Sequence, residues 1–276
     1  MLIIDCHCHA GKGDGLQGPW DTNAPLKKFL QWSEEAGIKR TNLFSAFHSD
    51  YSLANAKVAE VVKRNPEKFY GFAFINPIRD QGRVFEMVKI SVQDFGFKGI
   101  KVHKHDARIS REICEVARNF SVPVLYDVMG EVHVIELLAT EYPDVNFIIP
   151  HLSSFADDWK AQIAFVDHLA RHPNIYTDTS GVRRFDVLEM ALNRAGADKI
   201  LFGTDGPWLH PAVELAKIYA LKLSRRELHD VLAGNFLKLI ANVRYRPKRI
   251  PTEYVKRNLE ENRNFADPWL LPDIQL

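Results

Sequence analysis

Eleven histidines run through this 276-residue chain, and six of them stand where a short apolar run ends: His7, His9, His48, His103, His105 and His151. His7-Cys8-His9 follows Leu2–Cys6 directly. In extended chain, residues two apart project to the same side, so both imidazoles can face one cation. Two imidazoles and a carboxylate make an ordinary donor set for zinc or manganese. Asp127 ends the run Val122–Asp127, and Asp205 follows Leu201-Phe202-Gly203-Thr204. A bare His-x-His is more often packed than ligating, and an Asp after a strand often caps a helix. Pro207 and Trp208 make a poor helix start after Asp205. A single histidine after the apolar run Asn146–Pro150 would ordinarily be a core group. With so many ionisable residues ending runs on one side, His151 reads instead as catalytic. Cys6 and Cys8 alternate away from the histidines and read as small buried groups, as does Cys114 in a helical pattern.

These residues need elements to bring them together. The spacing predicts strands at Leu2–Cys6, Asn42–Phe47, Tyr70–Ile75, Gly99–His103, Val122–Asp127, Asn146–His151, Ile175–Thr179 and Lys199–Gly203. Between them, apolar residues recur at three and four, predicting helices at Pro25–Ala36, Leu53–Arg64, Val84–Asp94, Arg111–Asn119, Val132–Tyr142, Trp159–Arg171 and Phe185–Arg194. Further helices are expected over Pro211–Leu221 and Arg225–Ala241. Eight strand–helix units in about 240 residues is the count and size of an α/β (β/α)8 TIM barrel. In that fold the chemistry sits at the carboxyl ends of the strands, where the histidines lie. A doubly wound sheet shares the alternation, but Gly11-Lys12-Gly13-Asp14-Gly15 lacks its phosphate fingerprint and leads into Pro19-Trp20, not a helix.

Composition narrows the class. Thirty-six Lys+Arg against 35 Asp+Glu leaves a formal charge of +1, which gives no electrostatic case for nucleic acid. No apolar run approaches the roughly 20 residues that span a bilayer. Met1–His7 lacks the basic start of a signal peptide. Three cysteines form no disulfide framework and fit a reducing cytoplasm. Residues 242–276, polar and proline-punctuated, read as an extended tail, not a second domain. Its Trp269–Pro272 segment suits packing on the barrel or on a neighbouring subunit of a homo-oligomer.

The motifs Ile4–His9, Gly96–His103, Val122–Leu125, Phe147–Leu152, Tyr176–Gly181 and Leu201–Pro207 resemble those of the amidohydrolase-related family. This is the amidohydrolase 2 branch of the amidohydrolase superfamily, which also holds aminocarboxymuconate-semialdehyde decarboxylase and resorcylate decarboxylases. Gly234–Ile240 resembles its terminal helix, so the likeness covers about residues 2–241. It implies a metal-dependent barrel over 1–241 with one divalent ion, zinc or manganese. His7 and His9 would be first-strand ligands, Asp205 the eighth-strand carboxylate, and His151 the histidine that positions or deprotonates water. One position departs from the pattern: Asp127 stands where the family usually has a fifth-strand histidine. If Asp127 binds, two carboxylates cancel the ion's charge and favour manganese over zinc. Otherwise His151 or His103 completes the set, or the metal is lost.

The reading is a metal-dependent hydrolase in which Asp205 or His151 accepts the proton of an activated water. The basic residues Lys101, His103, Arg183 and Arg184 point to a small carboxylate-bearing substrate, with Trp208 and Trp20 walling the pocket. Non-oxidative decarboxylation is the rival, since both reactions need the same constellation. A metal-free binding protein on the same barrel stands behind both.

Overall fold

The computed structural model describes residues 1–17, 22–155 and 158–243. The expectations placed on Trp20 and on Trp269–Pro272 lie outside them. The strands are β1 (Ile4–Lys12), β2 (Asn23–Ala24), β3 (Arg40–Ser45), β4 (Phe69–Phe74), β5 (Gly99–His103), β6 (Val124–Asp127), β7 (Phe147–Ile149), β8 (Ile175–Asp178) and β9 (Ile200–Leu201). They form one sheet in the order β2-β1-β3-β4-β5-β6-β7-β8-β9, parallel except for the β1–β2 pair. The fold is therefore α/β, built on a curled parallel sheet. The curl brings its two edges together. Cys6 N–H donates to the carbonyl of Phe202 at 3.0 Å and His9 N–H to that of Gly206 at 2.7 Å. Cys8 pairs in parallel with Gly206.

The helices are α1 (Leu26–Glu35), α2 (Tyr51–Arg64), α3 (Val84–Gln93), α4 (Arg111–Phe120), α5 (His133–Glu141), α6 (Trp159–Arg171), α7 (Phe185–Ala195), α8 (Pro211–Ala220), α9 (Arg225–His229) and α10 (Asn235–Ile240). Their starts follow from short polar side chains that take up otherwise unbonded amides. Asp50 accepts from Ser52 and Leu53, Ser110 from Ile113, and Asp158 from Ala161. The single helix expected over Arg225–Ala241 is divided. Asp230–Gly234 forms a wide π-helical turn, and the Val231 carbonyl accepts from Phe202 N–H.

Two apolar clusters hold the fold. The larger lies between strands and helices, with Phe29, Val58, Val88, Val102, Phe147 and Phe165 among its buried members. The smaller fills the inside of the curl: Ile4, Cys6, Phe44, Phe72, Leu125, Ile148 and Leu201, with Phe236, Leu239 and Ile240 of α10. Phe236 closes this plug, its ring 6.0 Å from Phe72 and 5.4 Å from Tyr70. No helix among the described residues is long and apolar enough to cross a membrane.

Candidate active site

The first strand aims its histidines with an irregularity. Pairing with β3 runs Asp5 to Thr41 and then Cys8 to Leu43, so β1 carries one extra residue. Such a bulge re-aims the side chains beyond it. Ile4 and Cys6 face the inner plug below, whereas His7 and His9 face a cavity above it. The simple alternation expected for the cysteines is corrected here: Cys6 lies inside the curl, and only Cys8 packs outside it.

The cavity encloses about 390 Å³ and is lined by His7, His9, Lys101, His103, Asp127, Met129, His151, Ser154, Phe155, Asp205 and Trp208. Eight of these are residues to which the sequence assigned chemistry. Arg183 and Arg184 are not among them. Both are exposed, and Arg184 caps the start of α7 and pairs with Asp186 at 2.5 Å. Lys101 and His103 stand on the cavity wall instead. His48 and His105 lie just past the ends of β3 and β5 without lining it. His48 Nδ1 accepts from Asp50 N–H, and His105 packs on Phe47.

The hydrogen bonds fix which nitrogen of each ring faces the cavity. Carboxylates and carbonyls only accept, so a ring nitrogen bonded to one must carry the proton. His7 Nδ1–H donates to Asp178 Oδ2 at 2.7 Å, and His9 Nδ1–H to the Ser45 carbonyl at 3.1 Å. His151 Nδ1–H donates to the Ser180 carbonyl at 2.8 Å. All three therefore turn Nε2 to the cavity, the arrangement that supporting acceptors give to metal-binding imidazoles. His103 is the reverse: its Nδ1 accepts from His105 N–H at 3.0 Å, so its Nε2–H faces Asp127 Oδ2 at 3.3 Å. It stands in the cavity as a donor.

The charges are arranged to receive a cation. Asp205 Oδ1 lies 3.2 Å from His7 Nε2 and 3.6 Å from His9 Nε2. His7 Nε2 is buried and lacks an aligned hydrogen bond, an orphaned atom aimed at a carboxylate. His7, His151 and Asp205 offer ligand atoms within 4.8 Å of one another. Burial and Lys101 press on His7, yet Asp178 and Asp205 lift it to about 9, so positive charge is favoured at this spot. Burial opposes the charge on Asp205, but His7, His151 and His9 hold it far below the ordinary carboxylate range. Asp127 is held far down in the same way by His103, His151 and Lys101. Burial lowers His9 and His103 despite their carboxylate neighbours, which leaves both neutral. The residues present fit a single divalent ion.

The supporting groups are not among the residues to which the sequence assigned chemistry; Asp178 reads there as hydrogen-bonded structure. Asp178 Oδ1 accepts from Ser180 N–H and Oγ–H and from His151 N–H, so one carboxylate orders both His7 and His151. Asp5 accepts from Thr204 N–H and hydroxyl and is pushed by burial to about 7. Gly203 lets the last strand approach: a Cβ there would stand 3.0 Å from that of His7.

Backbone conformation marks the same end of the sheet. Asp205, Met129, His151, Leu152 and Ser153 all have positive φ without being glycine. Each such residue costs about 1–2 kcal/mol, which the surroundings must overcome. Elsewhere among the described residues only Ser121 and Lys222 do this, both at helix ends.

A family model described as Amidohydrolase matches residues 4–240. No curated protein matches the chain by sequence. Solved structures similar to it include 2,6-dihydroxybenzoate decarboxylase from Rhizobium, at 18% identity and TM-score 0.67, covering 87% of this chain and 99% of that one. A dihydroxybenzoic acid decarboxylase from Polaromonas sp. JS666, with bound manganese and 2-nitroresorcinol, shares 19% identity at TM-score 0.67 over 87% and 97%. A probable 2-pyrone-4,6-dicarboxylic acid hydrolase from Acinetobacter baumannii, with citric acid bound, shares 14% at TM-score 0.65 over 87% and 100%. At these identities the likeness speaks for the fold alone.

Proposed function

Because the chain belongs to the amidohydrolase family, we propose that it is a divalent-metal-dependent hydrolase of a small carboxylate-bearing molecule, built on a (β/α)8 barrel. The observation that carries this reading is the set of three imidazoles locked with Nε2 facing the cavity beside Asp205. His7, His9 and Asp205 would hold the ion, with Asp127 as the further carboxylate. A divalent cation bound there supplies Lewis acidity, which acidifies water and polarises a carbonyl.

Lys101 and the Nε2–H of His103 bind the substrate's carboxylate. Trp208, Phe155 and Met129 wall the cavity and exclude water from a planar apolar body. Asp205, held far below the carboxylate range, is a weak base and serves as a ligand. His151 handles the proton. Its Nδ1–H is tied to Ser180, so its Nε2 accepts a proton from the attacking water and returns it to the leaving group. Asp127 Oδ2, 3.7 Å away, stabilises the imidazolium formed in between.

A second reading rests on the likeness to dihydroxybenzoate decarboxylases, one of them holding manganese. In it the same His151 Nε2 delivers a proton to carbon as CO2 departs. Protein purified without chelator and supplied with manganese or zinc separates the two. Lactones and aromatic carboxylates are incubated in 18O-water; hydrolysis places the label in the acid product, while decarboxylation releases CO2 and leaves the remaining aromatic product without label. Protein that neither holds nor regains a divalent ion would end both readings in favour of a metal-free binding role.

A further inference from the structure

His151, Leu152 and Ser153 form an unbroken left-handed run, with φ of 58°, 52° and 81°. L-residues leave that conformation readily unless neighbours hold them in it. The run follows β7 directly, and its geometry sets where the His151 ring points. Two backbone amides are held from β8: His151 N–H by Asp178 Oδ1 and Leu152 N–H by Thr177 Oγ1, both at 3.3 Å. The carbonyls of its first residue and of the residue just beyond it converge on a single side chain. Gln162, fully buried in α6, donates one Nε2 proton to the His151 carbonyl at 3.0 Å and the other to the Ser154 carbonyl at 2.8 Å.

The rest of that glutamine is poorly served. Its Oε1 is buried with no hydrogen-bond partner, an unfavourable state for an amide oxygen. What the side chain serves with good geometry is the pair of carbonyls of His151 and Ser154. Ser153 shows a related mismatch: it holds the largest φ of the run, and its buried hydroxyl also lacks a hydrogen-bond partner.

We infer that Gln162 is a positioning residue, a two-point bracket that holds the left-handed turn so that His151 presents Nε2 to the cavity. From the functional reading this takes only that His151 handles the proton. Ring tautomers can be measured without metal or substrate. A failure here therefore leaves the hydrolase reading standing, and a lack of turnover leaves this bracket standing.

The test is 15N spectroscopy of the full chain labelled at histidine and glutamine, after chelation, at pH 8. The His151 signals are assigned by their loss in His151→Ala. In the unsubstituted protein His151 is expected wholly as the Nδ1–H form, and the Gln162 amide protons exchange slowly. In Gln162→Met the ring shows both tautomers. Adding Ser153→Gly, which accepts the left-handed conformation freely, restores the single form. A merely structural glutamine would move the melting temperature and leave the tautomer alone. A single tautomer in folded Gln162→Met overturns the proposal, as does Gln162 exchange as fast as that of an exposed glutamine. Equal unfolding of the single and double variants also overturns it, since the glutamine then serves stability at large.

Discussion

The interior of the curled sheet has two halves that follow opposite rules. Its lower half is an apolar plug of Ile4, Phe44, Phe72, Leu125 and Ile148, sealed by Phe236 of α10. Side chains there make no demand beyond shape. The upper half gathers His7, His9, Lys101, His103, Asp127, His151 and Asp205 around one cavity, in backbone that includes several left-handed residues. One half lowers the free energy of the fold, and the other is carried by it. Stability and chemistry are thus stacked along one axis, separated by the bulge in β1 that turns Cys6 down and His7 up.

Substitutions can break that division or sharpen it. The largest effect expected on stability is from Phe236→Ala, which empties the seal and costs about 3–5 kcal/mol by urea denaturation. The folded fraction at low temperature should still bind metal; loss of the ion from folded protein would show that the halves are not separable. His7→Ala is the converse. Mass spectrometry for metals should find less than about a tenth of an equivalent per chain, and turnover should vanish, because an open ligand set cannot retain the ion.

His151→Ala comes next. Metal content should be kept while turnover falls by about 10²–10⁴-fold, the usual worth of a positioned proton carrier. Release of the ion would instead make His151 a ligand, consistent with its place in the 4.8 Å group. Asp178→Asn removes the acceptor behind His7 and should weaken metal binding by about 10–100-fold in a competition titration. It has a pH signature too. In the metal-free chain His7 outweighs burial and holds Asp178 at about 2, below its usual 3.8. That depressed carboxylate contributes stability above the unfolded value, and the contribution disappears as pH falls from 3.8 towards 2. Urea midpoints at pH 5, 3 and 2 should fall more steeply for the parent than for Asp178→Asn. Arg184→Ala marks the bottom of the scale. Turnover and melting temperature should stay unchanged, because the side chain is exposed and its pair with Asp186 is screened by solvent.

The two halves were not equally legible in the sequence. β5 and α6 fall where their patterns place them, at Gly99–His103 and Trp159–Arg171, because buried β-branched runs and three–four spacing are local signals. β1 runs on to Lys12, well past the expected Cys6, because His-Cys-His-Ala-Gly has no strand character and is extended only by its neighbours. β2 is two residues long and leaves no pattern at all. Of the site, eight of the eleven residues that line the cavity could be found, most of them at the ends of apolar runs, whereas Met129, Ser154 and Phe155 could not. Neither could the supporting groups. Asp178 reads as structure until its oxygens are seen to order two rings, and Gln162 is an ordinary polar residue in an amphipathic helix until its two carbonyls are seen. Arg183 and Arg184 are exposed and do not line the cavity, since charge near a strand end says nothing of direction. Arg184 stands at the start of α7, where it pairs with Asp186.

The meeting of the sheet's first and last strands bears on how such a chain is made. Thr204 N–H reaches Asp5 across 199 residues, and Cys6 N–H reaches Phe202. During synthesis the opening strand must wait, with one edge bare, until nearly all the strands have left the ribosome. Contacts of such long separation form slowly, and bare strand edges invite association with other chains. The nascent protein is thus most vulnerable just before its first and last strands meet, a stage at which chaperones would be expected to matter most.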